Sequence, residues 1–116
     1  MLEFQGLVRR APIADDVLAY AVDLARRSRP DHPQAPDAVR TYVAWGAGPR
    51  AGQYLTLGAK TRALLQGRLA PDRADVRTLA PAVLRHRMVA NYEAEAARVT
   101  VDGIVEELIA AVDRES

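Results

Sequence analysis

Cysteine is absent from these 116 residues, so neither a disulfide framework nor a thiolate zinc site can hold the chain together. Histidine is scarce: only His32 and His86 occur, too few to build a metal centre, so no metal site is expected. His86 also stands between Arg85 and Arg87, where a cation would be repelled, which leaves it a structural hydrogen bond. Serine occurs only at Ser28 and Ser116, and neither accompanies a histidine and an orienting carboxylate, so covalent catalysis finds no support. No apolar run approaches the length of a membrane span. The amino terminus lacks the basic-then-apolar pattern of a secretory signal. These absences make a cytoplasmic protein with no membrane partner the expectation. The net charge is only +1, which argues against nucleic acid as a partner, because such modules carry a strong basic excess on one face.

What is present suits one globular domain spanning residues 1–116: 49% of the side chains are hydrophobic, enough for a core without staples. Charge is unevenly placed. Lys60 to Arg87 holds seven basic and two acidic residues, and Met88 to Ser116 holds two basic and seven acidic. Two helices that neutralise one another on packing would produce this asymmetry, as would a phosphate-facing or partner-facing surface; the packing reading is preferred.

Along the chain, residues 1–10 fit a short helix or a packing arm, with Leu2, Phe4, Leu7 and Val8 as its apolar positions. Asp15 and Asp16 open a helix whose apolar positions are Val17, Leu18, Ala21, Leu24 and Ala25, closed by Arg26, Arg27 and Arg29. A loop rich in proline, 28–36, follows. Asp37 to Trp45 predicts one or two helical turns, with a short strand as the weaker alternative. The longest helix is expected from Pro49 to Gln66, with Ala51, Tyr54, Leu55, Ala59, Leu64 and Leu65 as its stripe and Gly67 as its left-handed stop. Asp72 and Asp75 form a capping box before Val76, Leu79, Ala80, Val83 and Leu84, and Pro81 predicts a kink or a step between helices. Asn91 to Glu95 reads as an irregular connection. Thr100 then caps a last helix carrying Ile104, Val105, Leu108, Ile109 and Val112. The fold class is all-α, a small bundle of four to five helices.

Where the Asp37 to Trp45 segment meets the helix expected from Pro49 lies Trp45-Gly46-Ala47-Gly48-Pro49-Arg50-Ala51. Glycines make the tight turn, proline suits the first helical position, and arginine follows where free N–H groups and the helix dipole favour an anion. The same residues also serve as ordinary loop-to-helix punctuation. Two familiar phosphate motifs are excluded. Gly52 comes one residue late for a dinucleotide fingerprint and no βαβ unit surrounds it, while Gly58-Ala59-Lys60-Thr61 splits the Gly-Lys pair of a P-loop inside a helical segment.

Taken in order, the landmarks resemble the C-terminal helical lid domain of MoxR-type AAA+ ATPases. They are Phe4-Gln5-Gly6-Leu7-Val8, the Trp45 to Ala51 turn, Gly67-Arg68, Asp75-Val76, Leu79 to Arg87, and Asn91-Tyr92-Glu93-Ala94-Glu95-Ala96. The resemblance implies that Arg50 is the sensor 2 residue reaching the γ-phosphate of ATP, with Gly46, Gly48 and Pro49 shaping the turn that presents it. It further implies an upstream AAA+ core domain that binds most of the ATP with its Mg, to which residues 1–10 would be the link. Neighbouring subunits of a homo-oligomeric ring, and a client protein for chaperone-like remodelling or metal-cofactor insertion, belong to the same implication. The Walker motifs and arginine finger of that family are missing here, so the chain is expected to be part of a longer ATP hydrolase and inactive alone. Gly48 departs from the family's usual serine, Gly52 from a larger residue, and Asp72-Arg73 from Thr-Pro. The rival reading is a stand-alone helical protein-interaction adaptor.

Overall fold

The computed structural model describes residues 12–48 and 50–115; the expected arm at 1–10 and Pro49 lie outside them. Among the described residues there are six helices and two short strands. In chain order they are α1 (Asp15–Arg27), α2 (Asp37–Tyr42), β1 (Val43–Trp45), α3 (Ala51–Leu65), α4 (Arg73–Arg85), β2 (Val89–Ala90), α5 (Tyr92–Ala96) and α6 (Val101–Glu115). The all-α expectation holds, with four long helices and two short ones.

Helices α1, α3, α4 and α6 pack on one another around Leu24, Leu55, Val76, Leu84, Ile104, Val105 and Leu108, all essentially free of solvent. α2 packs on α6 and α5, adding Val39 to the same core. α6 buries the whole stripe expected of it, and Thr100 Oγ1 accepts from the Gly103 amide at 3.0 Å as its cap. The charge asymmetry is explained in part by packing: basic α4 meets acidic α6 through Arg77–Asp113 at 3.0 Å and Arg85–Asp102 at 3.6 Å. The Tyr20 hydroxyl donates to Asp113 at 2.6 Å, joining α1 to that pair, and burial together with this bond pushes the phenol up to about 12.

Five expectations need correction. Of the two outcomes expected at Pro81, the step between helices does not occur, since α4 runs through the proline: one missing N–H is outweighed by Val76, Ala80 and Leu84, buried on either side of it. Asp37 to Trp45 is both of the alternatives at once, six helical residues followed by a strand. β1 pairs antiparallel with β2, Val43 opposite Ala90 and Trp45 opposite Val89, with a bulge between. Asn91 to Glu95 is no irregular connection. The Asn91 side chain accepts from the Ala94 amide at 3.0 Å to start α5, and its Nδ2 donates to Thr41 O at 2.7 Å. Finally, α3 buries Ala51, Leu55, Ala59 and Ala63, whereas Tyr54 and Leu65 face outward. His86 is exposed at the end of α4, and among the described residues its ring has no hydrogen-bond partner, unlike the structural histidine expected.

Two local features match their residues closely. Gly67 has φ +78°, and the Arg68 amide donates to Ala63 O at 2.8 Å, closing α3 as a Schellman turn. Asp72 and Asp75 exchange side chain-to-amide bonds as a complete capping box at the start of α4.

Candidate functional site

The turn that carries Arg50 is held on three sides. Upstream, β1 is fixed by its pairing with β2, and the Asn91 amide donates to Tyr42 O at 2.8 Å. Downstream, the Ala51 amide donates to Gly48 O at 3.0 Å and Ala51 is buried, so α3 begins directly from the turn. In between, Ser28 at the end of α1 reaches across. Its hydroxyl donates to Ala25 O at 2.6 Å and accepts from the Ala47 amide at 3.1 Å, and both Ser28 and Ala47 are buried.

Gly46 lies against the same residue. A β-carbon there would meet Ser28 O at 2.6 Å and Arg29 Cα at 2.7 Å, backbone atoms with no freedom to yield, so glycine is required by close approach. Gly48, by contrast, has open space around its α-carbon and is exposed. Sequence reading placed both glycines at the site for the turn they make. The structure separates them into one that packs and one that does not.

Arg50 is exposed and stands at the N-cap of α3, two positions earlier than a helix starting at Pro49 would place it. Its carbonyl accepts from the Tyr54 amide at 3.1 Å, and its guanidinium has no acceptor among the described residues. The setting is unusual in this chain. All five other described helices have an acidic side chain in the first turn; α3 has none and presents an arginine instead. A cation at the positive end of a helix dipole is unfavourable by itself and favourable once an anion joins it.

Beside the turn runs a groove of about 710 Å³ between α1 and α3, bordered by Ala47, Gly48 and Gly52 at the turn end. Leu18, Val22, Ala25 and Leu57 give it apolar walls; Arg26, Arg29 and Lys60 are its charged residues, and no carboxylate lines it. Arg50 borders this groove in sequence without lining it. No three histidine, aspartate or glutamate side chains converge for a metal among the described residues. Lys60 and Thr61 lie within α3, so no phosphate loop forms there.

The residue that sequence reading missed is Ser28, which it left among scattered loop serines. Its signal was weak: one hydroxyl at the end of a basic helix terminus, whose partner is 19 residues away.

Comparison with known proteins follows the same geometry. Residues 35–108 match the family described as the AAA lid domain. The chaperone MoxR1 of Mycobacterium tuberculosis is 28% identical over 112 residues, which is 97% of this chain and 30% of that protein. The uncharacterised protein YeaC of Bacillus subtilis is 33% identical over 110 residues, 93% of this chain and 31% of its own length. The crystal structure of a candidate ATPase from Cytophaga hutchinsonii superposes with a TM-score of 0.84 at 26% identity, covering 91% of this chain and 32% of that one. The chain thus spans about a third of the length of these relatives.

Proposed function

Since the chain belongs to the AAA lid domain family, of the MoxR type, we propose that it closes over ATP held by an upstream AAA+ core and contributes Arg50 as the sensor 2 arginine. The observation that carries the reading is the guanidinium of Arg50, without a partner among the described residues, at the start of α3, the one described helix with no acid in its first turn. Arginine suits the task because its planar, permanently charged fork binds phosphate oxygens in pairs. The residues present fit a terminal phosphate: Arg50 is open to solvent, and Ala47 in the turn before it is tied to Ser28 at the end of α1. Mg with ATP supplies phosphoryl activation in such enzymes, and its ligands belong to the core. This chain binds and orients. When the terminal phosphate is released, Arg50 loses its anion and the lid is free to move against the core.

In this reading residues 1–116 are one lid, the ATPase is a cytoplasmic homo-oligomeric ring, and lid motion drives chaperone-like remodelling or metal-cofactor insertion in a client. MoxR1 is described as a chaperone, which supports the client role. No described helix is long and apolar enough to cross a membrane.

The two-part site has a direct test. Calorimetry on the 116-residue chain with Mg-ATP is expected to show no binding tighter than millimolar, because the core supplies most of the contacts. A micromolar affinity would show that the site is not shared.

One observation favours the adaptor reading: Trp45 and Val89, paired across the ribbon, are 72% and 53% exposed, and Tyr92, two residues after β2, is 82% exposed. Aromatic residues so placed are typical anchors of protein interfaces. An AAA+ core encoded in the same polypeptide separates the two readings, since the adaptor needs none.

A further inference from the structure

We infer that Ser28 is a positioning residue for Arg50, clamping the arginine-bearing turn to the end of α1. The inference rests on the sensor reading of Arg50 and adds to it the means by which the guanidinium is aimed.

The geometry is specific to this turn. Ser28 is fully buried, and its single hydroxyl spans two elements, donating to the last turn of α1 and accepting the Ala47 amide. Ala47 is itself buried, so without the hydroxyl its N–H would have no water to turn to. Gly46 brings the chain into contact with the Ser28 carbonyl at a separation that no larger residue allows. Three residues after Ala47 the chain presents Arg50. Gly48 O accepts from the Ala51 amide at 3.0 Å, which joins the residue after Ala47 to the first turn of α3, so a displacement at Ala47 is carried to the N-cap. Arg50 has no side-chain partner among the described residues to correct its aim. The point from which its side chain reaches is therefore set by the backbone joined at Gly48 and Ala51, which Ser28 ties to α1 through Ala47. Misplacement of a reacting or charge-stabilising group by about 1 Å can cost about a hundredfold in rate. Coupling follows from the same bonds: movement of the α1 terminus is movement of the sensor.

The test uses the full-length ATPase and reads kcat and KM for ATP separately. Ser28→Ala is expected to lower kcat about tenfold and to change KM less than about twofold, a partial form of the loss from a 1 Å misplacement. Ser28→Thr, which keeps the hydroxyl, restores most of kcat. Gly46→Ala, which pushes the turn off α1 by another route, reproduces the Ser28→Ala pattern. Adding Ser28→Ala to Arg50→Ala produces no further loss, because the serine acts through the arginine. Leu108→Ala removes an equally buried side chain from α6 and serves as the control for general loss of stability. The inference is overturned if Ser28→Ala keeps wild-type kcat, if Leu108→Ala at matched stability lowers kcat as much, if threonine is no better than alanine, or if the double substitution is additive. The sensor reading fails separately, on normal turnover by Arg50→Ala alone.

Discussion

Arg50→Ala is expected to lower ATP turnover by the full-length ATPase about a hundredfold, the usual cost of removing one donor aimed at developing charge. The melting temperature of the lid should not fall with it. The guanidinium is exposed and has no side-chain partner among the described residues, so its removal costs no internal contact. Taking a cation from the positive end of α3 even relieves a few tenths of a kcal/mol. Arg50→Lys keeps the charge but loses the planar fork, and should recover only part of the rate. Steady-state hydrolysis measured beside thermal melts of the isolated chain separates these effects. Loss of turnover together with loss of the fold would assign Arg50 to structure.

Asp75→Ala is expected to cost about 3 kcal/mol of stability, the lower end of the cost of breaking a buried ion pair. Asp75 is 2% exposed and its carboxylate accepts four hydrogen bonds from described residues. Oδ1 accepts from Arg62 Nε at 3.1 Å and Arg68 Nη2 at 2.6 Å; Oδ2 accepts from Arg68 Nη1 at 2.7 Å and the Asp72 amide at 2.8 Å. Both arginines are more than a third exposed and can turn to water when the carboxylate goes, which keeps the cost at that lower end. The Arg68 guanidinium is the main reason that Asp75 is held down to about 2, well below the usual carboxylate range. A depressed carboxylate stabilises the fold fully above its unfolded value and loses that contribution as pH falls through its folded value. For a shift of this size the contribution is about 2 kcal/mol. Urea unfolding of the isolated chain should therefore show the wild type and Asp75→Ala far apart at neutral pH and converging between about pH 4 and pH 2. A gap that stayed constant across that range would assign the loss to packing alone.

Asp75 also shows how much of this protein is legible in its sequence. Its capping role is local, three residues from Asp72, and could be read directly. Its pairing with Arg62 and Arg68 depends on how α3 and α4 are brought together, which no spacing encodes. The same division runs through the fold. α6 was readable because its apolar positions recur at helical spacing against a polar face. α3 was not, because apolar residues lie on both of its faces, and it packs inward through three alanines and one leucine while Tyr54 and Leu65 stay outside. The ribbon of β1 and β2 escaped because strands of three and two residues carry no periodicity and exist only through each other. Pro81 misled because local propensity is weaker than the packing on either side of it. At the candidate site, the glycines and arginine were visible as turn chemistry and as a family resemblance. Ser28 was not, since its partner amide lies beyond a loop and an intervening helix.

The central claim is that Arg50 senses the terminal phosphate held by another domain of the same protein. The most direct measurement is the structure of the full-length ATPase with a non-hydrolysable ATP analogue, read as the distance from the Arg50 guanidinium to the γ-phosphate oxygens. A hydrogen-bonded separation of about 3 Å, with Ser28 and Ala47 still joined behind it, is the result this account predicts. An ordered Arg50 lying far from the nucleotide, or paired with a carboxylate in the closed state, would contradict it.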